Sequence, residues 1–66
     1  MQILINSQPA AIDDNQTIAG LLLAQGLGER RVAVEVNGDI IPRSRHSGHL
    51  LADGDRVEIV HALGGG

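Results

Sequence analysis

The chain has no cysteine and no aromatic residue, and every one of its five basic side chains is arginine rather than lysine. Without cysteine there is no disulfide framework, thiolate metal site or cysteine nucleophile, so a small aliphatic core must hold the fold unaided. The lack of Phe, Tyr and Trp leaves that core to Ile, Leu, Val and Ala, and removes the stacking platforms on which single-stranded nucleic acid is bound. Net charge is −3, whereas phosphate backbones are held by cationic faces, so no nucleic-acid partner is expected. No apolar run approaches membrane-spanning length, and Met1 to Asn6 lacks the basic and long apolar regions of a secretion signal, which points to a soluble cytoplasmic protein with no membrane partner. The missing lysine leaves the N-terminus as the only primary amine and so limits self-acylation, although genome composition explains an arginine bias more readily.

At 66 residues the chain makes one small domain. A domain of this size buries only about 60% of its unfolded surface, too little for a core and a deep catalytic cleft together. The expected role is that of a protein acted upon, not an enzyme.

The hydrophobic period changes along the chain in an ordered way. Residues 2 to 6 alternate as a strand, Ser7-Gln8-Pro9 reads as a turn, and Ala10 to Asp13 return as a second strand. The stretch Asp13 to Thr17 supplies N-cap candidates for a helix whose Ile18, Leu21, Leu22 and Gln25 share a face. Gly26 ends that helix as a left-handed cap with Leu27 packing back, and Gly20 weakens it by roughly 1 kcal/mol. Val32 to Val36 alternate, Asn37-Gly38 signals a hairpin, and Asp39-Ile40-Ile41 pair back before Pro42. Arg43 to Leu51 shows no period. The turn Asp53-Gly54-Asp55 leads into a last strand, Arg56 to Ala62.

This order predicts an α+β fold of the β-grasp, or ubiquitin-like, kind: a mixed four- to five-stranded sheet with one main helix across one face and the last strand central beside the first. The domain is expected over residues 1–62, with a flexible glycine tail over 63–66. Alternation sends Ile3, Ile5, Val32, Val34, Val36, Val57 and Ile59 toward the helix and Leu4, Ala33, Glu35, Val60 and Ala62 outward. Leu4, Val60 and Ala62 then form a candidate docking patch beside the tail, with tighter burial or self-association as the competing explanations. The final Leu63-Gly64-Gly65-Gly66 is slim enough to thread a partner's active site and, extended, reaches on the order of 13 Å. A frayed terminus would look the same in composition.

The run Val32 to Arg43, the turn Asp53-Gly54-Asp55 and the ending Val57 to Gly66 closely resemble the ThiS family, the sulfur carriers of thiamine biosynthesis. The resemblance spans the chain and is most specific in its second half. It implies that Gly66 is adenylated with ATP by an E1-like (ThiF-like) enzyme, becomes a thiocarboxylate, and donates sulfur to a ThiG-like thiazole synthase. It also implies that the carrier binds no cofactor itself, ATP and the sulfur source being used by the partner. A ubiquitin-like modifier, or a sulfur carrier for another pathway such as molybdopterin synthesis, is the alternative; a plain interaction module is a third.

His46-Ser47-Gly48-His49 has an H-x-x-H spacing and His61 is a third imidazole, yet the irregular context imposes no ligating face. His46 and His49 read as solvated loop residues, His61 as capping the core edge or packing where the tail emerges, and no metal is expected. Arg43 and Arg45 are solvated loop charges by default, or a contact for an acidic partner surface.

Overall fold

The computed structural model describes residues 1–61. Five strands, β1 (Gln2–Ile5), β2 (Gln8–Ala11), β3 (Val32–Val36), β4 (Asp39–Ile41) and β5 (Arg56–His61), form one mixed sheet in the order β2-β1-β5-β3-β4. The helix α1 (Ile18–Ala24) lies against one face, and a short 3-10 turn spans Arg43–Arg45. β5 is central, parallel to β1 and antiparallel to β3, which agrees with the expected β-grasp topology.

The pleat assignment holds where it matters for the core. Ile3, Val34, Val36, Val57 and Ile59 are buried against Ile18, Leu21 and Leu22 of α1, while Ile5 and Val32 pack half-buried at its margin. The helix starts at Thr17, whose Oγ1 accepts from Gly20 N at 3.0 Å. It ends in a Schellman motif: Gly26, at φ +75°, donates to Leu23 O, and Leu27 donates to Leu22 O.

Three expectations are corrected. The first hairpin turns at Asn6-Ser7, both at positive φ, with Ile5 opposite Gln8; Pro9 lies inside β2, opposite Leu4. A two-residue turn with left-handed centres matches sheet twist, and an edge strand tolerates proline on its unpaired side. Second, the segment after β4, read as irregular, carries a 3-10 turn at Arg43–Arg45 and packs on the core. Leu51 is buried in the core, and Thr17 and Leu50 form an isolated bridge. Third, His46 is 6% exposed and its Nε2 lies 2.9 Å from Ile41 O, so it is not a solvated loop histidine; His49 is half-buried. The physical reason lies in the helix start: Ile18 N donates to His49 O and Ala19 N to His46 O, satisfying two N–H groups that an α-helix cannot pair internally. The H-x-x-H spacing therefore acts through its backbone carbonyls, which dock the loop on α1.

Candidate functional site

The last strand, β5, is paired on both sides. Five register pairs join it to β3, from Val36↔Val57 to Val32↔His61, and β1 flanks its other side through Leu4↔Arg56 and Ile5↔Val57. β1 stops at Ile5, short of the end of β5. Beyond it the Asn6 side chain takes over: Oδ1 accepts from Ile59 N at 2.7 Å and Nδ2 donates to Ile59 O at 3.2 Å. A carboxamide presents the same donor and acceptor as a peptide group, so Asn6 extends the ladder by one rung without extending the strand.

The other end of β5 is fixed by carboxylates. Asp55 accepts from Ala52 N and Asn37 Nδ2, Asp53 accepts from Gln2 N, and Gly54 takes φ +86° between them. Asn37 Oδ1 accepts from Arg56 N at 2.9 Å. The Asp53-Gly54-Asp55 turn thus ties the start of β5 to β1 and to the β3–β4 hairpin. Asn6 and Asn37 escaped notice as ladder residues, because asparagine at a turn is explained by its φ alone; both do take positive φ.

Of the expected patch, Leu4 and Val60 lie on the outer face and are 36% and 55% exposed, while Ala62 lies outside the described residues. They are not neighbours. Leu4 is opposite Arg56, and Val60 is four residues farther along β5, roughly 13 Å away, with Glu58 between them on the same face. Val60 is instead opposite Ala33, also exposed. Parity places both residues on one face, but only register says how far apart they stand. Leu63, Gly64, Gly65 and Gly66 likewise lie outside the described residues. His61 is exposed and paired with Val32 at the point where β5 ends.

Charge is unevenly spread along the sheet, with Arg56 at its acidic end and Glu29 at its arginine-rich end. Asp13, Asp14, Asp53 and Asp55 gather where β1 and β5 begin, and the N-terminal ammonium pairs there with Asp14 at 3.2 Å. Arg30, Arg31, Arg43 and Arg45 gather where β3 begins and β4 ends, which the Val32↔His61 pair identifies as the end where β5 runs out. β5 therefore ends where four of the five arginines lie, with Glu29 next to Arg30, in a chain that is negative overall. Among the described residues, no helix is long and apolar enough to cross a membrane.

The sequence model of the ThiS family matches residues 3–66, nearly the whole chain. The chain belongs to the ThiS family. Among curated relatives, the sulfur carrier protein ThiS of Escherichia coli is 32% identical over 66 residues, covering 100% of both chains. The crystal structure of the ThiS thiamine biosynthesis protein of Geobacter metallireducens superposes with a TM-score of 0.86 at 30% identity, again covering 100% of both. The thiazole synthase of Magnetococcus marinus is 35% identical over all 66 residues, and this chain spans 20% of its length. The β-grasp sheet described above is also the fold of that solved ThiS protein.

Proposed function

We propose that this ThiS-family chain carries sulfur as a thiocarboxylate on Gly66 and delivers it for construction of the thiazole ring of thiamine. The observation that carries the reading is the family match, which extends to Gly66. A carboxylate is a poor electrophile. Attack of a carboxylate oxygen on the α-phosphorus of ATP forms an acyl-adenylate and releases pyrophosphate; a sulfur nucleophile then forms a C–S bond at the Gly66 carbonyl carbon as the C–O bond to AMP breaks. The product tethers sulfur to a protein and keeps it from diffusing away. ATP and the sulfur source belong to an E1-like, ThiF-like activating enzyme, and the acceptor is a ThiG-like thiazole synthase. Support for the latter comes from the Magnetococcus marinus relative, in which a segment like this chain and a thiazole synthase share one polypeptide. The setting for all three is the cytoplasm.

The carrier's part is presentation. β5 is held on both sides up to Ile59, so the segment that follows starts from a fixed base. The exposed Val60 and Ala33, on the face opposite α1, supply the apolar contact for the activating enzyme. The test is reconstituted thiazole synthesis with the chain lacking Gly66 and with a chain carrying one extra residue after it. Both should fold with an unaltered thermal midpoint and support no thiazole formation. Thiazole formation by the extended chain, with mass spectrometry showing the extension intact, refutes the role of Gly66.

A further inference from the structure

On the helix side of the sheet, at the end where β5 runs out, a cavity of about 210 Å³ opens between α1, the start of β3 and the 3-10 turn. Its apolar wall includes Leu22 and Val32; its polar wall is Arg30, Arg43, His46 and Ser47. No carboxylate lines it. Among the described residues neither Arg30 nor Arg43 makes an ion pair or a side-chain hydrogen bond, so two guanidinium groups of like charge face one concavity without a counter-charge from those residues. His46 is buried in the wall, and its contact with Ile41 O holds the ring in place.

We propose that this cavity binds a small tetrahedral oxyanion of the phosphate class. Each guanidinium offers five N–H donors in a planar fork that matches the oxygens of such an anion, and the Ser47 hydroxyl adds another donor. The volume is ample for an oxyanion with bridging water. It falls below the roughly 300 Å³ at which pockets for larger organic ligands begin, which disfavours a whole nucleotide. An anion held here sits beside Val32, the direct partner of His61, and offsets part of the arginine charge at this end of the sheet. The proposal is independent of the chemistry at Gly66.

The test is an amide chemical-shift titration of the full chain with sodium phosphate, and separately with sodium pyrophosphate, against sodium chloride at matched ionic strength, which removes general screening effects. Saturable shifts centred on Arg30, Val32, Arg43, His46 and Ser47 are expected with both anions and not with chloride. Arg30→Gln and Arg43→Gln should each weaken binding about tenfold, the scale of one charge-assisted contact, whereas Arg56→Gln at the opposite end should leave it unchanged. Linear, unsaturated shifts, or saturable shifts that survive both cavity substitutions, overturn the proposal. Because Arg30 and Arg43 are exposed, both variants are expected to fold, and their unshifted core resonances verify it.

Discussion

Asn6 offers the most exacting test of how β5 is held. Its carboxamide makes two hydrogen bonds to the backbone of Ile59, at 2.7 and 3.2 Å, where β1 has already turned away. Its own φ of +49° adds a second, separable effect. Each hydrogen bond contributes about 0.5–1.5 kcal/mol net, so removing the carboxamide should cost about 1–3 kcal/mol. Alanine in the left-handed region adds about 1 kcal/mol more, and glycine does not. Against a total stability of roughly 3–10 kcal/mol for a chain this size, Asn6→Ala should be among the most damaging turn substitutions. Asn6→Gly should recover the φ component alone. With no tryptophan or tyrosine, far-UV circular dichroism during urea unfolding is the suitable probe, and the midpoint should fall with an unchanged m-value. Hydrogen exchange should show faster opening at the Ile59 amide, while amides that face β3 keep their protection. An Asn6→Gly chain as stable as the parent would show that Asn6 matters only through its φ and that the side-chain rung contributes nothing.

Other substitutions probe separate links. Leu21→Ala, at a site 2% exposed, should cost about 2–5 kcal/mol by calorimetry or urea titration. Thr17→Ala should cost about 1 kcal/mol through loss of the N-cap bond to Gly20, read as a lower thermal midpoint. Val60→Arg, on the outer face, should leave the urea midpoint within about 0.5 kcal/mol of the parent yet weaken binding to the activating enzyme in a calorimetric titration. Leu4→Arg should weaken it less, since Leu4 stands apart from Val60.

Much of the fold is legible from period and turn chemistry. Alternation in β3 and β5 picks out Val34, Val36, Val57 and Ile59, and Asn37-Gly38 and Gly26 mark turns that need positive φ. What escapes is what depends on register and docking. The loop from Arg43 to Leu51 has no period because its burial is imposed by α1, whose two unpaired N–H groups recruit the His46 and His49 carbonyls. Ser7-Gln8-Pro9 reads as a turn because proline is a turn former, whereas the edge position of β2 lets Pro9 remain in a strand. The separation of Leu4 from Val60 follows from parallel pairing that begins at the base of β5, and no local pattern in either segment encodes that offset. At the site itself, the residues with chemical meaning are legible from composition and family resemblance. Asn6, the side chain that holds β5 at Ile59, emerges only from the packed structure.

The central claim, that Gly66 carries sulfur, is tested most directly by mass. The purified chain, incubated with ATP, an E1-like activating enzyme and a sulfur source, should gain the mass difference between sulfur and oxygen, and fragmentation should confine that gain to Gly66. The gain should vanish when ATP is omitted. An unchanged intact mass under conditions in which the activating enzyme converts another ThiS-family carrier, or a gain located at any other residue, would contradict the account.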